Sequence, residues 1–459
     1  MSESSGRVTN IKWAINFLLP LSLLLLPESE AFTWNIKVFL AITLWGVMGY
    51  ALELTDNLVV SLIMMFLYGL SGIAPLQAVL GPWTADPAWM TLGALIIVSV
   101  VQKTTILKRM AYYAAIHTNG SYMKLVLAMA TLALVARIFL QGTMACIAVI
   151  VVAYGICEAL QLGRSRASAG LMVATVIFYM DANYFIYSPD FISILYNAAA
   201  PVEKIVPSYP AFFKDNAVFL VGNYLVAAAI GRYCRPDSPL SGRENFEREL
   251  AALGRLSVKE WKIIIVLVAL VIFLFTHQYH HISMVYGFIF APMILYMPGM
   301  NVGTQQDLKD VQFSVLFFII ACMGIGSAGS AVGFGHFVSV SIVPMLQNVS
   351  QTTFLCATYL AGVLLNFLMT PLAVLASFGL PFAQICRDLN FNLEPMFYIF
   401  YQGTAQLWFP YETAVYLVAF SLGLIRVKDF LSIMTIKFVI NVVFLATAGM
   451  AWWAAMGIL

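Results

Sequence analysis

Charge is what this sequence has least of. Only 10% of its 459 residues are Asp, Glu, Lys or Arg, 61% are apolar, and the mean hydropathy is +0.88. A soluble domain of this length needs far more polar surface, so that class is excluded. Histidine is scarce at five residues, and the six cysteines (146, 157, 234, 322, 356, 386) have neither CxxC nor Cys/His ligand spacing. Structural zinc and a disulfide framework are therefore not expected, and no metal site is assigned. The glycines between Gly324 and Gly335 lack the Lys and Ser/Thr of a phosphate loop. His277, His280 and His281 have no fourth ligand in sight and read as a polar cluster at a helix end. No Ser/His/Asp set is present, so no enzyme is expected, and no nucleic-acid partner.

What the chain does have is repeated apolar runs near 20 residues, the mark of an all-α polytopic membrane protein. The first, Ile11 to Pro27, is read as a retained helix and not a removed signal. Spans follow at 34–53, 58–73 and 89–101, the last after an irregular stretch between Pro75 and Pro87. The segment from Lys124 to Arg166 is different. Two apolar arms meet at Gln141-Gly142-Thr143, with basic residues at both open ends. Each arm reaches about 25–30 Å as helix. Such a stretch reads as a re-entrant hairpin, whose tip survives at membrane depth only against protein or water.

Next comes a run broken at Asp181-Ala182-Asn183 and Ser188-Pro189-Asp190 (167–196), then a span at 211–232. A polar, amphipathic segment from Arg232 to Lys262 divides the chain, and is expected to lie on the membrane surface. The pattern then resumes with spans at 263–275, 283–297 and 313–338. A second hairpin at 351–382, a broken helix at 396–424 and a last span from Ile436 to Trp453 complete it. This predicts about 11 transmembrane helices and two re-entrant hairpins in two inverted repeats, 1–231 and 263–459, joined by a cytoplasmic linker at 232–262. Of 24 Lys and Arg residues, Lys37, Lys204, Lys214, Lys309 and Arg387 are assigned outside and Arg137 in the membrane. The remaining 18 fall inside, which favours a cytoplasmic N-terminus and an external C-terminus in the cell membrane.

The central loop, Glu247-Arg-Glu-Leu-Ala-Ala-Leu-Gly254 followed by Leu256-Ser-Val-Lys-Glu260, resembles the E-L-x-x-L-G-x-[LM]-S-x-x-E run of the divalent anion/sodium symporter family. Phe409-Pro410-Tyr-Glu-Thr413, followed by Val427-Lys-Asp-Phe430, is similar to that family's penultimate helix and last-helix entry. The resemblance covers nearly the whole chain. It implies an elevator-type transporter, a homodimer, a small anionic substrate with dicarboxylate first, and sodium as coupling ion. It also implies a Ser-Asn-Thr motif at each tip. Here the first tip reads Gln141-Gly142-Thr143, and the second Leu368-Met369-Thr370-Pro371, in a register fixed to within one residue. The family's Gly-Thr-Pro-Pro-Asn element appears as Ile186-Tyr187-Ser188-Pro189-Asp190, and its second-half counterpart as Glu412-Thr413-Ala414-Val415-Tyr416. The fold carries over well; the substrate and sodium as coupling ion do so poorly.

Individual residues sharpen this. Arg137 lies four residues before Gln141 on one helical face. A buried charge there costs about 2.5–3.5 kcal/mol on insertion scales and marks a functional candidate. Its fork suits a carboxylate, sulfate or sulfonate. The competing reading is an ion pair with Asp181 or Glu158. Gln141, Gly142, Thr143, Thr370, Thr413 and Asn366 are the other substrate candidates. Asp181, Asn183, Ser188, Asp190 and Glu412 are the coupling or ion-pair candidates. Asp181 is Arg137's counter-ion, a proton carrier or a solvated helix end, and Glu412 is its counterpart in the second half. For the Thr and Asn residues the alternative is helix-to-helix hydrogen bonding.

Overall fold

The computed structural model describes residues 3–459 except 53, 206–207, 237–239, 241–242, 347–348 and 368–369. Among the described residues every regular element is helical. Among the described residues three helices are long and apolar enough to cross a membrane: Tyr122–Phe139, Phe313–Ala331 and Val427–Ala455. Leu76–Thr84 with Asp86–Val101 forms a fourth if the pair, bent by 46°, counts as one. The stretch before Pro87 is thus helical, not irregular. Pro82 and Pro87 each sit in the first turn of a helix, where a missing N–H costs nothing. Other apolar helices are shorter, including Asn57–Leu70, Thr143–Ala159, Val218–Tyr233 and Met284–Ile294. Large apolar side chains such as Leu18, Phe66, Val221, Ile272 and Val439 face outward, as on a surface that meets lipid.

The same order of elements occurs twice. The first hairpin is Tyr122–Phe139 and Thr143–Ala159; the second is Gln351–Asn366 and Pro371–Asp388. Each is followed by a broken helix: Arg166–Asp181 with Ile192–Ala199, and Leu393–Thr404 with Ala414–Ser421. Each break contains a proline, Pro189 or Pro410, which cannot donate to an N–H ladder and disfavours a helical conformation at the residue before it. A final helix closes each set, Val218–Tyr233 and Val427–Phe444. The two final helices pack on each other, and the last packs on Arg166–Asp181. Close backbone approach holds the second hairpin on the second broken helix: a Cβ at Gly403 would fall 2.4 Å from the Tyr359 carbonyl oxygen.

Loop contacts sort the polar residues to two ends. At one, Lys103 binds Asp307 and Asp310 at 2.5 and 2.6 Å, and Arg426 and Arg166 meet Asp429. At the other, Arg387 binds Glu203 at 2.8 Å and the Asn392 side chain donates to the Ile458 carbonyl at 2.9 Å. Lys309 lies on the helix Gln305–Lys309 that Lys103 holds, so these two residues, assigned to opposite sides, share one end of the fold.

The central linker does not simply rest on a membrane surface. Its helix Arg243–Ala252 packs on Ile106–Ile116, with the Phe246 and Tyr112 rings 5.9 Å apart. Arg109 donates to the Leu253 and Gly254 carbonyls at 2.6 Å each. Ser257 and Glu260 form a capping box, and the other Glu260 oxygen accepts from the Thr105 amide and hydroxyl at 3.0 and 2.5 Å. The Leu-Gly…Ser…Glu run is therefore a joint between halves. Desolvation opposes the Glu260 charge, but the hydroxyl and amide donors of Thr105 and Ser257 outweigh it and hold the carboxyl at about 2.

Candidate functional site: paired tips and breaks

The first tip is set by backbone. Leu140 is extended and ends the first arm, and Gly142 has φ 101° and ψ 166°, a region open essentially to glycine alone. Thr143 then opens the second arm. The Tyr179 hydroxyl donates to the Leu140 and Gly142 carbonyls at 2.6 and 3.1 Å, which satisfies the tip from the first broken helix.

Arg137 is 1% exposed, and its partner is neither Asp181 nor Glu158. Glu158 is exposed, at the far end of the second arm. The guanidinium instead binds Asp190, at 2.8 and 3.4 Å, and lies 5.3 Å from the Tyr179 ring centre. The Ser188-Pro189 turn brings Asp190 back over the last turn of the hairpin arm. A small cavity of about 20 Å³ lies here, bounded by Gln141, Gly142 and Thr143, by Pro189, Asp190 and Phe191, and by Leu372. Three helices thus begin at one place: Thr143–Ala159, Ile192–Ala199 and Pro371–Asp388. Their N-terminal N–H groups carry partial positive charge, which favours an anion.

A second polar cluster lies at the two breaks. Asp181, fully buried, binds Lys437 at 2.8 Å. The same ammonium donates to the Ala405 carbonyl at 2.8 Å, so one side chain joins both breaks. Asn183 donates to the Tyr401 hydroxyl at 2.9 Å, and Gln406 to the Tyr184 hydroxyl at 2.9 Å. Asp181 is thus not Arg137's counter-ion. Glu412 is buried and accepts from the Trp408 amide at 2.9 Å. Among the described residues no cation stands within 4.0 Å of it.

The remaining candidates divide. Ser188 accepts from the Ile192 amide at 3.3 Å, a contact within its own turn. Asn366 donates to the Thr404 carbonyl and so fastens the second hairpin to the second break. Thr370 precedes Pro371, and its buried hydroxyl has no protein partner among the described residues. Leu368 and Met369 lie outside the described residues. Thr413 precedes Ala414–Ser421 without a side-chain cap, half-buried, and nothing brings it to the first cavity.

Sequence reasoning missed Lys437, Tyr179 and Tyr401. Lys437 left a signal: it is the only charge between Asp429 and the final Leu459. Beginning the last span at Ile436 put it at a membrane edge. The helix actually runs from Val427, which places Lys437 in the interior, not among the inside-loop residues.

Residues 217–459 match the model of a family described as the sodium:sulfate symporter transmembrane region. No curated protein matches the chain. The match covers the second hairpin, both halves of the second broken helix and the helix bearing Lys437. It spans more than half of the chain and agrees with the motifs of the central loop and the last two helices, so this membrane protein belongs to the sodium:sulfate symporter family of anion transporters.

Proposed function

We propose that this chain moves a small anion across the cell membrane by alternating access, with a dicarboxylate as leading substrate and sulfate or a small sulfonate behind it. The convergence of three helix N-termini on one cavity carries this reading. Arg137 supplies the full positive charge, and Gln141, Gly142, Thr143 and Thr370 the polar contacts. In this arrangement Asp190 holds the guanidinium, so an incoming anion exchanges with Asp190 for the same fork. The cavity has room for about one water, so binding requires the tip to move. That fits an elevator in which 1–231 and 263–459 act as inverted repeats around the docked linker 232–262, within a homodimer. Asn366 and Thr413 act at the second tip and break; Asn183 and Ser188 shape the first. The end that holds Lys103, Arg109 and Arg166 faces the cytoplasm, with the N-terminus inside and the C-terminus outside.

The test is thermal stabilisation of the purified protein by succinate, sulfate and taurine, because a ligand that binds only the folded state raises its stability. Succinate or sulfate should shift the wild-type transition and leave Arg137→Gln unmoved. No shift with any anion would reject the assigned site.

For coupling, Glu412 favours a proton over sodium. Of the carboxylates at the first tip and the two breaks, Asp190 and Asp181 are held by cations, and Glu412 is not, among the described residues. A buried carboxyl without a cation is the member that can take up a proton during a cycle. Glu412→Gln should abolish the response of uptake to an imposed pH gradient; an unchanged response would return the assignment to sodium or exchange.

A further inference from the structure

The environment of Lys437 is that of a cation site. Asp181 is the last residue of one half-helix, and Ala405 directly follows the last residue of the other. Carbonyl groups at helix C-termini carry partial negative charge and lack intrahelical donors. Asp181 adds a full negative charge at the same point. In broken-helix transporters, carbonyls at half-helix ends are the groups that coordinate small monovalent cations. Here the carboxylate and the Ala405 carbonyl face one ammonium, each at 2.8 Å, 98% buried and delivered from a third helix. An ion pair that served only to hold two helices together would need the Lys–Asp contact alone. The additional bond to a helix-end carbonyl of the other break makes the ammonium the shared positive charge of both.

We propose that Lys437 is a tethered cation: its ammonium occupies, between Asp181 and the Ala405 carbonyl, the place a free monovalent cation would otherwise take, and the chain needs no sodium there. This rests on the transporter reading for its significance, but not for its test. A lysine on the last helix cannot leave with the substrate. The charge at this point is therefore constant through the cycle, and the site confers rigidity without contributing an ion to the driving force.

The experiment is a thermal unfolding series on the full chain in detergent, without substrate, at constant ionic strength in choline, sodium, lithium or n-propylammonium chloride. n-Propylammonium restores the atoms that Lys437→Ala removes. Wild type should unfold at the same temperature in all four salts. Lys437→Ala should unfold several degrees lower in choline and recover, saturably, with sodium or n-propylammonium. Asp181→Asn/Lys437→Ala, which buries no unpaired charge and so guards against a variant that fails to fold, should show no such recovery. Saturable stabilisation of wild type by sodium over choline would overturn the proposal. So would a Lys437→Ala protein that no small cation restores, or a double variant that sodium still stabilises. Because no substrate is present, a failure to find flux or anion binding leaves this result standing, and the reverse also holds.

Discussion

The two buried ion pairs differ in what they join. Arg137–Asp190 links a hairpin arm to the turn of one broken helix, and its Asp190 lines a cavity and keeps some exposure, with 9% of its side chain accessible. Lys437–Asp181 links the last helix to both breaks, at 2% and 0% exposure. On the proposed function, the first pair has a cavity beside it and a competing anion to yield to. The second has neither. On that reading, the difference separates a part proposed to work by exchanging partners from a part that joins the two breaks.

Breaking the inner pair should have the larger effect. Lys437→Met leaves Asp181 uncompensated and should cost toward the upper end of about 3–5 kcal/mol, read as a lower unfolding temperature. Neutralising both partners with Asp181→Asn/Lys437→Met should recover most of that loss, since a well-packed neutral pair is often no worse than the buried ions. Arg137→Gln should cost nearer the lower end of the same range, about 3 kcal/mol, because Asp190 can turn toward the cavity. Its effect on uptake should exceed its effect on stability. Equal stability losses for the two variants, with uptake spared in Arg137→Gln, would erase the comparison.

Gly142→Ala tests the tip that the outer pair serves. No neighbour crowds a Cβ there, so the penalty is backbone strain alone, about 1–3 kcal/mol. Uptake should fall with a loss of stability no larger than that strain, whereas Gly403→Ala, which drives a Cβ into the Tyr359 carbonyl, should lower stability further.

The smallest effect belongs to the linker joint, far from both pairs. The Glu260 carboxyl is held at about 2 against an ordinary 4.5. Its contribution is therefore complete above pH 4.5 and is lost as pH falls through about 2. Between those values the unfolding temperature of wild type should decline more steeply than that of Glu260→Gln, and parallel declines would remove Glu260 from the account.

The order of hairpins and broken helices was legible because each rests on local signals: apolar length, a glycine at a tip, a proline after a break. The chemistry inside was legible only residue by residue. Arg137, Asp181, Asp190 and Glu412 stood out as charges in apolar runs, yet their partners did not. Arg137 and Asp190 are 53 positions apart, Asp181 and Lys437 256. Only the crossing of helices brings them together, and the nearest acidic residue in sequence, Glu158, was the wrong partner for Arg137. Lys437 was lost to a span boundary set nine residues late, since Lys428, Asp429 and Lys437 together look like a polar entry to a helix.

Uptake of labelled succinate and sulfate into proteoliposomes is the most direct test of the central claim, that an exchangeable arginine pair serves a small anion while a tethered lysine makes sodium unnecessary at the breaks. Saturable uptake of at least one anion is expected, equal in sodium and in choline and abolished by Arg137→Gln. Uptake that requires sodium, or that survives Arg137→Gln unchanged, would contradict that claim.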